Sequence, residues 1–544
     1  MIVTPLEGLS SPTLAERYRK GDPDVCKLFG SHPSHSRHWR DRAEHLDREA
    51  ANRADRKRLA EALRAYHDRL PAGEEARRSI DRLEREDSLV VVGGQQAGLF
   101  GGPLMILHKA LTVVQTARYA ESLLGRPVVP VFWIAGEDHD FEEANHVHVS
   151  SLDGADVKKV KVDRPAGPRR SVSRTGLTAE QWTAAIEELS ASLPDTEFKP
   201  KLLDRIRSHA EDAPSLTVSF ARLMADWFGP EGLVLLDSDD PGIRALEGEF
   251  FRKLIERNVE LESRLREGEA HVRELGFPLQ AESAEGCANL FLHHDAGRLL
   301  LFRKDGRYVD RKEEAALSEE ELLRLADRSP EALSNNALTR PLMQDYVLPV
   351  LATVLGHAEI AYWSGLGPAF SMFGMAMPII VPRQSFTFLE AGVSSLLEKY
   401  GVTVEQIIAD GERLKSEWLE SQDDWRLEEK FREARERFLE LYAPVLGTVA
   451  AMQPGLAKLG EGNRDRILEQ IAYLENRAVD ALAKKHEASL RQWDRMRCSL
   501  WPQGKPQERV LGVVHYLNRY GPDWLRLWRE VPYDATGGHR LVSP

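Results

Sequence analysis

The sequence predicts an α/β protein in which a parallel-sheet core is followed by an antiparallel coiled-coil hairpin of helices. Two observations support this prediction. A buried strand, a glycine-rich turn, a helix and a second buried strand follow one another within residues 89–135, and from about residue 391 apolar residues recur at helical spacing. A chain of 544 residues is also long enough for more than one structural unit.

The first two strands are short apolar runs at residues 89–92 (LVVV) and 127–135 (PVVPVFWIA). Such β-branched runs are typical of strands buried on both faces. The turn between them, residues 93–102 (GGQQAGLFGG), precedes a proline suited to the first turn of a helix over residues 103–120. A strand, helix and strand at this length form a βαβ unit, so we predict that the two strands are parallel.

Two polar insertions interrupt the remaining core pattern, at about residues 148–215 and 260–335. The second contains a hairpin-like segment, residues 290–302, in which Asp-Ala-Gly is a turn signal. Three further apolar runs predict core strands, at residues 232–237, 348–355 and 377–381.

Helices are predicted on both sides of this core. Residues 34–87 are amphipathic and predict a helix pair that covers the core. We assign residues 1–390 to the core, residues 391–505 to the coiled-coil hairpin, and residues 506–544 to a segment that returns to the core. A hairpin of this size leaves apolar surface to cover, which favours a homodimer through the coiled coil.

Composition excludes several classes of protein. The net charge of −13 gives no global attraction to nucleic acid, and no apolar run is long enough to span a membrane. The N-terminus has no secretory pattern. The three cysteines, Cys26, Cys287 and Cys498, have neither disulfide-framework nor zinc-site spacing, so we expect a cytoplasmic protein without a structural metal.

Polar clusters follow three of the predicted strands. Because ligands bind outside the carboxyl ends of parallel strands, we expect these clusters to converge on one crevice. The candidate residues are Gln95 and Gln96 after the first strand, Glu137, Asp138, His139 and Asp140 after the second, and Asp237, Asp239 and Asp240 after the third.

The glycine turn is a candidate anion-binding loop. It has neither the Gly-Lys-[Ser/Thr] end of a Walker A loop nor the dinucleotide G-x-G-x-x-G spacing. Its glycines, Gly94, Gly98, Gly101 and Gly102, would let backbone N–H groups approach a phosphate before a helix N-terminus. The alternative is a tight turn that binds nothing.

Three carboxylates and an imidazole at residues 137–140 suit acid–base chemistry or a divalent cation, and the alternative is an ordinary helix N-cap. Lys109 is a candidate for a phosphate or carboxylate contact, or an ordinary surface lysine. Taken in isolation, the residues around the fourth predicted strand would have structural roles: Arg340, Gln344, Glu359, Tyr362 and Trp363.

At these segments the chain resembles the cysteine-ligase (BshC) family of bacillithiol biosynthesis. The matching stretches span nearly the whole chain in order: residues 94–103, 130–143, 235–241, 339–344, 359–363, 507–509 and 520–521. One departure is Gly356-His-Ala, where the family has a Gly-Pro-Gly-like turn. The resemblance implies a Rossmann-like core with two connecting insertions and a dimer-associated coiled coil, and an activity that adds cysteine to malyl-glucosamine.

The resemblance also implies roles for the candidate residues. Amide formation requires an activated carboxylate, so we infer ATP, with Mg²⁺ as a candidate companion, and an acyl-adenylate or acyl-phosphate cradled by the glycine loop. Gln95 and Gln96 are expected to position the reactants. His139, Asp138 or Asp140 is the expected general base, and Arg340 or Lys109 the expected partner of the malyl carboxylates. Glu137 is assigned with the catalytic residues, and Gln344, Glu359, Tyr362, Trp363 and Asp237 with the substrate-binding residues.

Two other functions remain open from the sequence. A nucleotidylyl-transferase-like enzyme would use the same sort of core, but no H-x-G-H pair follows the first strand. A non-enzymatic coiled-coil scaffold would not need polar strand ends that face one crevice. Stabilisation of the protein against heat by substrate or ATP would separate an enzyme from a scaffold, because a ligand that binds the native state raises the melting temperature.

Overall fold

The structure is a computed structural model that describes residues 2–6, 13–71 and 73–543. The strands in this part of the chain are β1 (Ile2–Pro5), β2 (Leu89–Gln95), β3 (Val128–Ile134), β4 (His146–Ser150), β5 (Val157–Lys161), β6 (Val234–Asp237), β7 (Cys287–His294), β8 (Gly297–Lys304), β9 (Arg307–Asp310), β10 (Ala316–Ser318), β11 (Leu333–Asn335), β12 (Val350–Leu355), β13 (Ile379–Pro382), β14 (Gln384–Phe388) and β15 (Gly538–Ser543).

The α-helices of the described residues are α1 (Leu14–Arg19), α2 (Pro23–Phe29), α3 (Ser36–Arg48), α4 (Arg56–His67), α5 (Glu74–Leu83), α6 (Leu104–Leu124), α7 (Phe141–Ala144), α8 (Ala179–Ser192), α9 (Lys199–Ala210), α10 (Leu216–Phe228), α11 (Pro241–Glu256), α12 (Asn258–Glu274), α13 (Glu319–Arg328), α14 (Arg340–Val347), α15 (His357–Trp363), α16 (Gly367–Met372), α17 (Ala391–Tyr400), α18 (Val404–Ser421), α19 (Leu427–Met452), α20 (Ala457–Lys485), α21 (Glu487–Leu500), α22 (Gln507–Val510), α23 (Val513–Tyr520) and α24 (Trp524–Leu527).

A five-stranded parallel sheet forms the centre of the core, in the order β13-β12-β2-β3-β6. The chain starts this sheet at β2, adds β3 and β6 on one side, and then adds β12 and β13 on the other. This is the Rossmann-like arrangement, and the strand order reverses between β2 and β12. A ligand crevice is therefore expected outside the carboxyl ends of these two strands.

The central sheet is buried on both faces. Along β2, Leu89 and Val91 belong to one apolar core, and Val90 and Val92 belong to the core on the opposite face. All four side chains are fully buried, and such burial stabilises by about 1.5–3 kcal/mol for each Val or Leu. Packing on both faces thus explains why the strand is a continuous apolar run instead of an alternating one.

The predicted βαβ unit is confirmed, because β2 and β3 pair in parallel and α6 connects them. The predicted hairpin in the second insertion is also confirmed, since β7 and β8 pair antiparallel around Asp295-Ala-Gly297. These two strands belong to a five-stranded sheet in the order β10-β9-β8-β7-β11.

The prediction of a helix pair at residues 34–87 is wrong, since the segment forms the three helices α3, α4 and α5. A 3-10 turn at Ala50–Asn52 ends the first, and the Asp55 carboxylate caps the N-terminus of the second by accepting a hydrogen bond from the Arg58 N–H. Gly73 precedes the third.

The chain divides into two compact units. The core unit comprises Met1–Leu152, Val157–Leu389 and Pro502–Pro544, and the helical unit comprises Asp153–Asp156 and Glu390–Trp501. In the core unit, the C-terminal strand β15 pairs with β1 and β14 in a third sheet. Among the helices of the described residues, none combines the length and apolarity that crossing a membrane requires.

The helical unit contains the expected coiled-coil hairpin, formed by α19 and α20. Arg435, near the start of α19, pairs with Glu475, near the end of α20, and the Tyr442 hydroxyl donates to the Asn463 side chain at 2.6 Å. The ion pair and the hydrogen bond both connect early residues of one helix with later residues of the other, as expected for antiparallel helices. No described residue of α19 is buried, so the hairpin exposes apolar side chains in the single chain.

Candidate functional site

A cavity of about 630 Å³ lies at the carboxyl ends of β2, β3, β12 and β13. We call it the switch-point cavity, because it lies where the strand order of the central sheet reverses. Its polar and charged lining residues are Gln95, Gln96, Lys109, Trp133, Glu137, Asp138, His139, Glu143, Glu282, Arg298, Asn335, Asn336, Arg340, His357, Glu359, Tyr362, Arg383 and Arg509.

Lys109 anchors the floor of this cavity. Its ammonium donates to the Gly94 carbonyl at 2.6 Å, to Gln95 Oε1 at 3.1 Å and to Glu359 Oε2 at 2.5 Å. Burial lowers the pKa of Lys109, and the Glu359 carboxylate opposes that effect. An ammonium has three donors, so these bonds use all of them and leave none for a substrate carboxylate.

Asp138 is held in place at the end of β3. Its Oδ1 accepts from the His139 N–H at 2.7 Å, and its Oδ2 accepts from the Gln96 amide at 2.9 Å. Gln95 Nε2 donates to Gln96 Oε1 at 3.3 Å. The polar groups after β2 and β3 therefore meet in one network, as the positions of their strands predict.

The imidazole of His139 lies beside Arg298, which comes from β8 of the second insertion. Arg298 Nη1 lies 3.1 Å from His139 Nδ1. A guanidinium can only donate, so Nδ1 accepts and the proton of the neutral ring lies on Nε2. Burial and then the Arg298 charge lower the pKa of His139. This geometry presents an N–H donor and does not favour a proton acceptor.

Glu143 lines the same cavity from α7. Partial burial raises the pKa of its carboxyl, and the carboxylates of Asp138, Asp140 and Glu359 raise it further. The Asp140 side chain caps α7 by accepting from the Glu143 N–H at 3.2 Å, and so fixes the start of this helix. Glu143 thus combines access to the cavity with a pKa moved towards neutrality, which suits a general base.

Basic side chains also line the cavity: Arg340 from α14, Arg383 from the residue after β13, and Arg509 from α22. Arg340 donates to the Tyr362 hydroxyl at 2.6 Å and to Gln344 Oε1 at 3.3 Å. These bonds use two of the five N–H donors of a guanidinium. Arg383 is held by Glu508, which accepts from its two Nη atoms at 2.8 and 2.6 Å. Arg340, Arg383 and Arg509 can therefore attract anionic groups of a ligand.

Most of the glycine loop lies away from the switch-point cavity. Gly98, Gly101 and Gly102 do not line the switch-point cavity, whereas Gly94 does. The N–H groups of these three glycines donate to the carbonyls of Gln96, Gly98 and Leu99 in the same loop. A Cβ at Gly101, where φ is +92°, would lie 2.4 Å from the Trp227 ring. The glycines serve a tight, closely packed turn.

Several predicted residues lie outside the cavity. Asp237 accepts a hydrogen bond from Ser173, and burial together with the Asp239 carboxylate raises its pKa to about 7. Asp239 pairs with Arg174, and Asp240 caps α11 and pairs with Arg69. These three carboxylates do not line the cavity: Asp237 is bonded to Ser173, the other two are in ion pairs, and β6 is an edge strand two places from the reversal.

Three other candidates do not line the cavity. Gln344 supports Arg340, Trp363 is fully buried in the apolar core, and Asp140 acts as a helix cap. Glu137 lines the cavity but is held by the Arg244 guanidinium at 2.7 Å and by the Asn335 N–H at 3.1 Å. Its position suits an orienting group better than a mobile acid or base.

Sequence reasoning assigned no role to several lining residues: Glu143, Arg298, Asn335, Arg383 and Arg509. Glu143 had a usable signal, since it lies three residues after the cap Asp140 and within the strand-end motif. Arg298 and Asn335 come from the insertion sheet, and no local pattern links them to β3. Within the described part of the chain, no cluster of three or more His, Cys, Asp or Glu side chains is placed to hold a metal ion.

Comparison with known proteins finds one family over the whole chain. Residues 1–384 match the model of the "Bacillithiol biosynthesis BshC, N-terminal Rossmann-like domain", and residues 386–544 match that of the "C-terminal coiled-coil domain" of the same family. Three curated relatives are each named "Putative cysteine ligase BshC". The protein of Bacillus licheniformis is 37% identical over 92% of both chains, that of Bacillus cytotoxicus 36% over 90% of both, and that of Geobacillus thermodenitrificans 35% over 97% of both.

Proposed function

Because this chain belongs to the BshC family of bacillithiol biosynthesis, we propose that it is a cysteine ligase acting in the switch-point cavity. The reaction joins the carboxylate of L-cysteine to the amine of malyl-glucosamine through an amide bond, as the last step of the pathway. The observation that carries this proposal is one cavity, at the reversal of the parallel sheet, whose wall contains both carboxylates and arginines.

Glu143 is the proposed general base. The attacking amine must lose a proton, and an acceptor works best when its pKa lies near the working pH. Partial burial and three nearby carboxylates move the pKa of Glu143 in that direction. Asp138 is already committed to the His139 N–H and to Gln96, so its role is to orient the loop after β3.

His139 is the proposed hydrogen-bond donor to the reacting carbonyl. Arg298 fixes the ring so that the Nε2 proton is the one available. A neutral imidazole donor stabilises negative charge that develops on the carbonyl oxygen as the amine attacks. This role replaces the proton acceptance that the sequence suggested for His139.

The malyl carboxylates are proposed to bind Arg340, Arg383 and Arg509. Arg340 and Arg383 are oriented by Tyr362 and Glu508, so little side-chain entropy is lost when they bind an anion. Lys109 supports the floor of the cavity through its bonds to Gly94, Gln95 and Glu359, and so contributes to substrate binding only by holding these groups in place.

ATP is the proposed source of activation. Amine and carboxylate do not condense usefully in neutral water, and a nucleotide would supply a leaving group on the cysteine carboxylate. The glycine loop is not proposed to hold its phosphates, because the N–H groups of Gly98, Gly101 and Gly102 are bonded within the turn. The cavity-lining arginines match phosphate oxygens by charge, so Arg340, Arg383 and Arg509 would face the phosphates as well as the malyl carboxylates. We expect Mg²⁺ to enter with the nucleotide.

We also propose a homodimer formed through the coiled-coil hairpin, in the cytoplasm. Leu441, Val445 and Met452 are exposed and are separated by four and seven residues, so they share one face of α19. A second copy of the hairpin would cover such a face. Cys26, Cys287 and Cys498, all within the described residues, are not joined in disulfides, which suits a reducing compartment.

A mass-spectrometric assay tests the proposed activity. Purified protein is mixed with malyl-glucosamine, cysteine, Mg²⁺ and ATP, with each component omitted in turn. We expect the mass of bacillithiol only in the complete mixture. Product without ATP would remove the nucleotide from the proposal, and no product from folded protein would contradict a self-sufficient ligase.

A further inference from the structure

Three side chains in the wall of the switch-point cavity have buried polar atoms without a hydrogen-bond partner. These atoms are the indole Nε1 of Trp133, the Oε1 of Glu137 and both side-chain polar atoms of Asn335. The three residues are exposed by 0%, 3% and 2%, respectively, and all of them line the cavity. Leaving a buried polar atom unpaired costs about 1–3 kcal/mol. Several unpaired atoms in one cavity wall therefore indicate that a ligand pairs with them.

The surrounding structure fixes these atoms in place. The Asn335 N–H donates to Glu137 Oε2 at 3.1 Å, and the Asn335 carbonyl accepts from Arg298 Nη2 at 2.5 Å. Arg244 donates to Glu137 Oε2 at 2.7 Å, which leaves the other oxygen of that carboxylate unpaired. Trp133 is a residue of β3 and pairs with Gly94 in the register of the sheet. The unpaired atoms of Trp133, Glu137 and Asn335 are therefore held in place before a ligand binds.

The mixture of donors and acceptors identifies the chemistry of the ligand. The Trp133 N–H only donates, the Glu137 oxygen only accepts while ionised, and the Asn335 amide does both. A carboxylate would face the Glu137 oxygen, and an ammonium would leave the Trp133 and Asn335 N–H groups unpaired. A hydroxyl group both donates and accepts, so two adjacent hydroxyls complement the set.

We propose that Trp133, Glu137 and Asn335 form a subsite for the vicinal hydroxyls of a sugar ring. This inference rests on the proposed ligase function, which brings two such rings to the cavity. One is the hexosamine ring of malyl-glucosamine, and the other is the ribose of ATP. Both present adjacent hydroxyls, and binding experiments distinguish them.

The test measures dissociation constants by isothermal titration calorimetry in full-length protein, separately for malyl-glucosamine and for ATP with Mg²⁺. Trp133→Phe removes one N–H and keeps a ring, and Asn335→Ala removes the amide. Trp524→Phe is the matched control, because its buried indole N–H is also unpartnered but lies outside the cavity. Melting temperatures establish that each variant is folded, and Asn335→Ala carries the test if Trp133→Phe does not fold.

We expect each subsite variant to weaken one ligand by about 3- to 10-fold, the value of a lost neutral hydrogen bond, while the control leaves both constants unchanged. Weakened malyl-glucosamine binding identifies the hexosamine ring. Weakened ATP binding identifies the ribose, and 2′-deoxy-ATP should then bind the wild type as weakly as ATP binds the variant.

Unchanged constants for both ligands in both variants would overturn the subsite, as would wild-type protein that binds neither ligand. Failure of the ligase proposal is distinguishable from this result. Wild-type protein that binds both ligands but forms no amide would contradict the activity and leave the subsite intact, whereas turnover with unaffected variants would contradict the subsite alone.

Discussion

The ammonium of Lys109 lies 2.5 Å from the carboxylate of Glu359, and this pair joins the two strand ends between which the sheet order reverses. Lys109 also binds the Gly94 carbonyl at the end of β2, and Glu359 accepts from the Gly356 N–H after β12. The pair therefore fixes the floor of the cavity. The Lys109 side chain of this pair is almost inaccessible to solvent, with 2% of its surface exposed.

Lys109→Met should destabilise the fold by about 3–5 kcal/mol, because breaking a buried ion pair leaves an uncompensated charge on Glu359. Urea unfolding measures this loss. Lys158→Met, at an exposed lysine of the same unit, is the control and should change stability little. If Lys109 instead binds a substrate carboxylate, the variant would keep its stability and lose only affinity.

Asp237→Asn should stabilise the protein at pH 8 by about 2–4 kcal/mol, with the difference shrinking towards pH 4. Burial and Asp239 raise the pKa of Asp237 to about 7, above its value in the unfolded chain. Protonated Asp237 therefore stabilises the folded protein fully below its unfolded-state pKa of about 3.9, and this stabilisation is lost as the pH rises through its folded-state pKa of about 7. Thermal melts of both proteins across this range measure the effect, and equal melting temperatures at pH 8 would contradict it.

Arg298→Gln should raise the pKa of His139. Removing the cation removes its repulsion of the imidazolium, and it also frees Nδ1 to take a proton. Titration of the His139 ring signals by NMR follows this change. Arg307→Gln, at an exposed position of strand β9 in the same sheet, should leave the His139 titration unchanged. A lowered or constant pKa in Arg298→Gln would contradict the proposed hydrogen bond.

Leu441→Glu combined with Met452→Glu should convert a homodimer to a monomer, because both residues lie on the exposed apolar face of α19. Light scattering coupled to size-exclusion chromatography measures the mass. Glu428→Gln, at an exposed position of the same helix, is the control. A monomeric wild type, or a double variant that stays dimeric, would contradict assembly through this face.

The central sheet could be predicted because its signals are local. Residues 89–92 and 127–135 are apolar runs that end in polar residues, and a parallel sheet brings such ends together. The side chains of Gln95, Gln96 and Asp138 do meet in one hydrogen-bonded network. Asp237 does not line the cavity, and its partner Ser173 comes from the first insertion, whose path no local pattern predicts.

The remaining site residues depend on contacts between distant segments. Arg298 lies 159 positions from His139, and Asn335 lies 198 from Glu137. No spacing rule links such pairs. Glycine spacing before a helix also does not reveal which backbone amides the turn will pair with its own carbonyls. Here the N–H groups of Gly98, Gly101 and Gly102 are bonded within the turn.

The comparison of Glu143→Gln with Glu142→Gln tests the catalytic site most directly. Both carboxylates belong to α7, but only Glu143 lines the switch-point cavity. Loss of the general base should lower kcat by about 10²–10⁴-fold in Glu143→Gln and leave Glu142→Gln like the wild type. In the wild type, kcat/KM should fall as the pH drops through the raised pKa of Glu143, since the base must be ionised. Wild-type turnover by folded Glu143→Gln would contradict the site proposed for this ligase.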